Sequence, residues 1–185
     1  MKKNFFLWLR RWQFPLLLLL IGCSGSGETE PALISADNVS GDLVYSIYAG
    51  NTVTITGYRG SDRVLVLPDR IDTRPVTAIG DYAFYDCDRL QQITLPTAMA
   101  SLGDYAFADC QQLTSVDISQ TQIDSLPAYA FTGCLSLCSI ALPYQLRQIG
   151  SAAFAKTGIT SISLPTTMER IGDYAFADCK ALQSV

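Results

Sequence analysis

Histidine is absent from all 185 residues. Its absence removes the commonest general base and the commonest metal ligand together, so chemistry that depends on either has little to build on. Charge is scarce too: 16% of residues are charged and 49% hydrophobic, a balance that excludes a disordered polyelectrolyte. The net charge is −4, and no basic stripe is present to neutralise phosphates, which argues against a nucleic-acid partner. A bilayer span needs roughly 20 apolar residues. The run Leu16 to Ile21 is far shorter than that.

What is present at the amino terminus reads as an export signal over residues 1–22. Lys2, Lys3, Arg10 and Arg11 supply its positive charge, and Leu16 to Ile21 form a short apolar core. Leu20-Ile21-Gly22-Cys23 then resembles a bacterial lipobox, where a peptidase cuts before a cysteine whose sulfur receives diacylglycerol. That resemblance implies a lipoprotein anchored at Cys23, held stably because several acyl chains share one terminus. An ordinary secretory signal with an incidental cysteine is the alternative. Residues 23–40 begin Ser24-Gly25-Ser26-Gly27 after the cysteine, small and polar without apolar periodicity, and are expected to be a flexible tether.

Residues 41–63 change character. Leu43 to Tyr48 and Thr52 to Thr56 alternate as strands do, and Ala49-Gly50-Asn51 between them makes a β-hairpin the natural reading. Its expected role is to cover the exposed apolar end of the segment from residue 64 onward; a binding hairpin is the other option.

Residues 64–185 are repetitive. Gly103-Asp104-Tyr105-Ala106-Phe107-Ala108-Asp109-Cys110 returns letter for letter as Gly172 to Cys179, and Gly80 to Cys87 differs at one residue. Weaker copies lie at Tyr129 to Cys134 and Ala152 to Thr157, so that the phenylalanines 84, 107, 131, 154 and 176 are 23, 24, 23 and 22 residues apart. A period held this closely marks a solenoid, in which each repeat buries its apolar side against its neighbours. After each motif comes a segment with apolar residues at its first, fourth and sixth places, such as Leu90, Ile93 and Leu95, often closed by proline. This predicts parallel strands stacked about 4.8 Å apart, with proline stopping each strand because it cannot donate to a ladder. Tyr-Ala-Phe is expected to form a single helical or 3₁₀ turn on the opposite side, its Ala and Phe facing inward. Asp81, Asp104, Asp173 and Ser151 precede that turn and read as caps for its orphan N–H groups.

Cys87, Cys110, Cys134 and Cys179 are spaced by the repeat period rather than as a short ligand loop, so a buried ladder of thiols is expected, with Thr157 in the missing rung. A disulfide between neighbouring rungs stays open on geometry. Cys134 and Cys138 lack the partners a tetrahedral zinc site needs.

The combination of Ile-Gly-Asp-Tyr-Ala-Phe-x-x-Cys, a Leu-x-x-Ile-x-Leu-Pro strand and a period near 23 resembles the BspA-type leucine-rich repeat family. The resemblance implies a leucine-rich-repeat solenoid, α/β to mainly β, with parallel stacked strands, short helical turns and the hairpin as its N-terminal cap. It also implies a bacterial cell-envelope protein, exposed at the surface and on the outer membrane if the cell has one, that binds a protein or cell-surface ligand. It brings no catalytic residue and no cofactor. Departures from the pattern are Thr157 for cysteine, Ser119 for proline and Pro127-Ala128 for Gly-Asp.

Two surfaces are candidates for ligand contact. The first is the strip of outward residues on the strands: Gln92, Thr94, Ser115, Asp117, Ser139, Ala141, Ser161 and Ser163. It is small and polar and lacks the aromatic anchors that dominate most interfaces. The second is the tyrosine row Tyr82, Tyr105, Tyr129 and Tyr174, which could instead pack beside the phenylalanines. The competing classes are a structural spacer in an envelope assembly and, less favoured, a hydrolase using Asp and Glu carboxylates, which would need two of them at a defined separation. The last repeat breaks off at Val185 in mid-strand, and the open end is expected to favour self-association.

Overall fold

A computed structural model describes residues 31–184. The export signal, Cys23 and the first part of the expected tether lie outside the described residues, as does Val185.

Three antiparallel strands open the fold: β1 (Leu33–Ser40), β2 (Leu43–Tyr48) and β3 (Thr52–Tyr58). The hairpin of β2 and β3 closes through Gly50 and Asn51, whose φ of 99° and 63° are the left-handed values a tight turn requires. β1 is a correction to the sequence reading, which places residues up to 40 in a flexible tether. It pairs with β2 along its length but leaves Leu33, Ile34 and Val39 exposed, so backbone pairing holds it rather than a buried face.

β3 then runs parallel to β6 (Arg74–Ile79), aligning Val53 with Val76 and Ile55 with Ile79, all four buried. Tyr58 at the end of β3 lies against Phe84, ring centroids 5.5 Å apart, and so covers the first rung of the phenylalanine ladder. Between these elements, β4 (Val64–Val66) begins the repeats, and β5 (Arg70–Ile71) folds back on β6 through Asp72 and Thr73. The stretch from Asp69 to Ala78 is thus largely strand.

Each repeat has three sides. On one, β4, β7 (Gln92–Thr94), β9 (Ser115–Asp117) and β11 (Ser139–Ala141) form a parallel sheet in which Leu65, Ile93, Val116 and Ile140 are aligned and point inward. On the second, β8 (Ser101–Leu102) follows β6, and β10 (Ser125–Leu126), β12 (Gln148–Ile149) and β13 (Arg170–Ile171) form a narrower parallel sheet. The segment from Ile159 to Leu164 continues the first side without regular pairing; Ser161 and Ser184 form an isolated parallel bridge.

The third side corrects the expectation of a helical turn: among the described residues the motif forms no helix. Tyr82, Tyr105, Tyr129 and Tyr174 have φ of 56°, 56°, 58° and 59°, left-handed values that break a right-handed helix at its first residue. The backbone instead bonds from repeat to repeat. Tyr82, Phe84 and Asp86 donate their N–H groups to the carbonyls of Asp104, Ala106 and Ala108 at 3.0, 2.9 and 3.0 Å. Tyr105, Phe107 and Asp109 do the same to Ala128, Ala130 and Thr132. The N–H groups between them close local turns, as Tyr85 does onto Tyr82 at 3.1 Å.

The core lies between the three sides. Phe84, Phe107, Phe131 and Phe154 are fully buried, and with Phe176 they form one stack with centroid steps of 5.2, 5.4, 5.6 and 5.4 Å. Offset stacking at this spacing adds to the burial of each ring. Ala83, Ala106, Ala130, Ala153 and Ala175 are buried beside them, as the sequence requires. Glycine before the turn has a packing reason: a Cβ on Gly150 would lie 2.5 Å from the carbonyl carbon of Pro127 in the preceding repeat.

Candidate functional site

The repeated motif places chemistry-bearing residues in columns, so each column can be judged by what its side chains touch. The cysteines form the expected ladder and are free thiols: Cys110 and Cys134 are buried, Cys87 and Cys179 partly so. Each of the last three reaches back one repeat, Cys110 to the Phe84 carbonyl at 3.0 Å, Cys134 to that of Phe107 at 3.1 Å and Cys179 to that of Phe154 at 2.9 Å. Hydrogen bonding to Cys110 and then burial push the Cys87 thiol up; hydrogen bonding to Cys134 does the same to Cys110. Thiols held protonated are poor nucleophiles, so Cys87 and Cys110 are structural.

The aspartates before the turn also bond across repeats. Asp81 Oδ1 accepts from the Asp104 amide at 2.8 Å, and Asp104 Oδ1 accepts from the Ala128 amide at 3.1 Å. They are caps, as their residue type indicates, but for the neighbouring repeat rather than for their own turn. Among the described residues no group of three or more metal-ligating side chains comes together, and no helix is long and apolar enough to cross a membrane.

On the strand side, Gln92, Thr94, Asp117, Ser139, Ala141, Ser161 and Ser163 are exposed and Ser115 is half-buried. The register sets Val64 beside Gln92 and Val66 beside Thr94, so two exposed valines, 58% and 67% accessible, head the strip. Sequence reasoning missed them because Val64-Leu65-Val66-Leu67 is apolar throughout and carries no alternation to mark its outer face.

The tyrosine row is exposed, and its rings stack on one another. Tyr82 and Tyr105 are 4.8 Å apart with planes within 5°, and Tyr105 and Tyr129 are 4.6 Å apart within 4°. Tyr85 adds an edge contact to Tyr82 at 5.7 Å, a member of the cluster that the repeat pattern alone does not reveal. Tyr82 and Tyr129 keep 46% and 37% of their surface open, whereas Tyr105, covered on both faces, is half-buried. Burial is the main reason its phenol is pushed up, with neighbouring Tyr129 next. Tyr174 stands apart at 78% exposure, because the fourth repeat has Ala152 where the others have tyrosine. The fourth repeat also carries Lys156 where three others have aspartate, and a shallow cleft of about 460 Å³ opens there between Leu135, Lys156 and Lys180.

The comparisons with known proteins agree with this architecture. Residues 69–183 match the BspA type leucine rich repeat region in six copies. A T. pallidum leucine-rich repeat protein of known structure is 30% identical, with a TM-score of 0.76, over 80% of this chain and 70% of its own. A leucine-rich repeat protein from Bacteroides ovatus is also 30% identical, with a TM-score of 0.75, over 80% of this chain but only 40% of its own. The pneumococcal vaccine antigen PcpA shares the fold at 17% identity and a TM-score of 0.51, with 80% of this chain and 48% of its own covered. No curated protein matches. With a matched region covering most of the chain and a mainly-β parallel solenoid beneath it, the protein belongs to the BspA-type leucine-rich repeat family.

Proposed function

We propose that this chain is a lipid-anchored protein of the bacterial cell surface whose turn side binds a protein ligand on another cell or in a matrix. The stacked, exposed tyrosines Tyr82, Tyr105 and Tyr129 carry this reading. Aromatic rings held rigid by their neighbours lose little freedom on binding, and tyrosine is among the residues that dominate interfaces. The strand strip, with its small polar residues, offers complementarity but few anchors, and Val64 and Val66 at its head are its strongest contribution. Asp81 and Asp104 already accept amides of the neighbouring repeats, which favours a scaffold over a carboxylate hydrolase. Anchoring rests on the lipobox resemblance at Cys23.

The test is adhesion of cells displaying the full-length protein to a coat of extracellular-matrix protein. Replacing Tyr82, Tyr105 and Tyr129 together by alanine should reduce adhesion about ten-fold or more, while Thr94→Ala with Ala141→Ser should leave it unchanged. The reverse pattern would move the site to the strip, and no effect of either would leave a spacer. Cys23→Ala should release the protein from membrane fractions; retention would remove the anchor from the proposal.

A further inference from the structure

Charge is unevenly distributed along the repeats. From Gly80 to Cys110 the chain carries five aspartates, Asp81, Asp86, Asp88, Asp104 and Asp109, against the single cation Arg89. From Gly150 to Lys180 the signs balance, with Glu169, Asp173 and Asp178 against Lys156, Arg170 and Lys180. The motif between them, Pro127 to Cys134, carries no charge. The acidic stretch also holds the ring cluster, in which Tyr82 stacks on Tyr105 at 4.8 Å and meets the edge of Tyr85 at 5.7 Å. Carboxylates stand beside these rings. Burial, then a hydrogen bond donated to Asp109 and the charges of Asp109 and Asp86, push the Tyr85 phenol up; burial, neighbouring Tyr129 and Tyr82, and then Asp104 do so for Tyr105. Asp104 gives one oxygen to the Ala128 amide, and Gly133 leaves the room that Asp109 takes, since a Cβ there would meet Asp109 Oδ1. Neither carboxylate is joined to a basic side chain among the described residues.

Resting on the turn-side reading above, we infer that the segment of the protein ligand seated on the cluster of Tyr82, Tyr85 and Tyr105 is basic, its lysine or arginine side chains reaching the carboxylates beside the rings. Stacked strands repeat about 4.8 Å apart, inside the Debye length of about 8 Å at physiological salt, so the fields of aspartates in neighbouring repeats add. A cation within roughly 6 Å of a tyrosine face is attracted by the ring as well. Rings and carboxylates therefore favour the same partner. An acidic segment is repelled, and a purely apolar one takes water from the carboxylates without returning a counter-charge. The surface is open to such a segment: Tyr82 and Tyr85 keep 46% and 38% of their area accessible, and Asp81, Asp86 and Asp104 are exposed.

The experiment titrates the full-length protein in non-ionic detergent, its tyrosine rings labelled for NMR, with hexa-lysine, and with hexa-serine and hexa-glutamate as controls. Hexa-lysine alone should give saturable shifts, larger at Tyr82 and Tyr85 than at Tyr174, with an affinity that falls as salt is raised from about 50 to about 300 mM. The identical strings Gly103 to Cys110 and Gly172 to Cys179 supply the decisive pair of variants. Asp104→Asn with Asp109→Asn removes two charges, keeps an oxygen for the Ala128 amide, and should weaken binding about five-fold. Asp173→Asn with Asp178→Asn makes the same change away from the ring cluster and should weaken it less than about two-fold. No saturable shift, binding of hexa-serine as tight as that of hexa-lysine, indifference to salt, or equal weakening by both variants would overturn the basic partner; the salt series on the unaltered protein decides if a variant misfolds. If the basic partner fails while the triple tyrosine variant still loses adhesion, the turn-side reading survives it; if both fail, that reading falls as well.

Discussion

The second and fourth repeats differ at almost every outward position of the motif, yet their backbones follow the same course. In the second, Tyr105 and Asp109 face outward and Cys110 bonds to the Phe84 carbonyl of the repeat before. The fourth has Ala152, Lys156 and Thr157 at those places, and is a residue shorter to the next strand. Thr157 turns its hydroxyl to the Phe154 carbonyl of its own repeat at 2.9 Å and lies 3.2 Å from Cys179 Sγ of the next, so the reach back to the preceding repeat is replaced by a local bond. Ala153 and Phe154 nevertheless stay buried, and Phe154 and Lys156 still donate to Ala175 and Ala177 at 2.8 Å each. The inward pair and the backbone ladder therefore define the fold, and the tyrosine, aspartate and cysteine columns are free to vary.

If that division holds, the largest loss should come from the inward column. Phe107→Ala removes a fully buried ring between two others and should cost about 3–5 kcal/mol in urea unfolding of the full-length chain. Phe176→Ala, at a ring only partly buried, should cost less. A loss below about 1 kcal/mol at Phe107 would show that the ladder is not the core.

Close backbone stacking comes next. Gly150→Ala forces a Cβ against Pro127 and should cost about 1–3 kcal/mol. Gly80→Ala meets nothing nearer than 3.5 Å, because the preceding layer there is β3 rather than a repeat, and should lie within about 0.5 kcal/mol of wild type. Equal effects at both glycines would remove the stacking explanation.

Making the fourth repeat resemble the others is a sharper and smaller test. Ala152→Tyr places a ring on a backbone already at the right φ and should stabilise by about 0.5–1.5 kcal/mol through two new stacking contacts. A net destabilisation would mean that the fourth repeat differs in more than its side chains.

The smallest effect compares the cap with the repeats. Burial and a 2.6 Å hydrogen bond to Asp62 push the Tyr58 phenol up to about 12. An acid whose folded pKa is raised contributes stability that is complete below its ordinary value near 10 and is lost as pH rises from there through about 12. Unfolding midpoints should fall across that window, and Tyr58→Phe should flatten part of the decline. An unchanged slope in the variant would assign the alkaline loss to other tyrosines.

Much of this architecture is legible in the residues. The inward Phe and Ala, the strand register and the thiol ladder follow from spacing, because each repeat meets its neighbour at the same height. The course of the turn is not legible in the same way. Its hydrogen bonds join residues about 23 apart, such as Phe84 to Ala106 and Phe107 to Ala130, and nothing local to Tyr105 announces a positive φ. β1 escapes notice for a different reason: an edge strand that buries little needs no apolar alternation. Of the candidate surfaces, the outward strip follows from strand alternation. The exposure of the tyrosines does not, since a ring beside a phenylalanine ladder could face either way.

The hydrogen bonds between turns, running from each repeat to the next, also set how the molecule answers a pull. They lie along the direction in which repeats succeed one another, so tension applied along that direction is carried by every interface in series and the weakest opens first. A protein gripped at opposite ends should extend in discrete steps, each releasing one repeat of about 23 residues. Stretching single molecules should show a regular sawtooth, and one large rupture would show that the repeats yield together. Such stepwise yielding dissipates load gradually while the remaining repeats keep their shape.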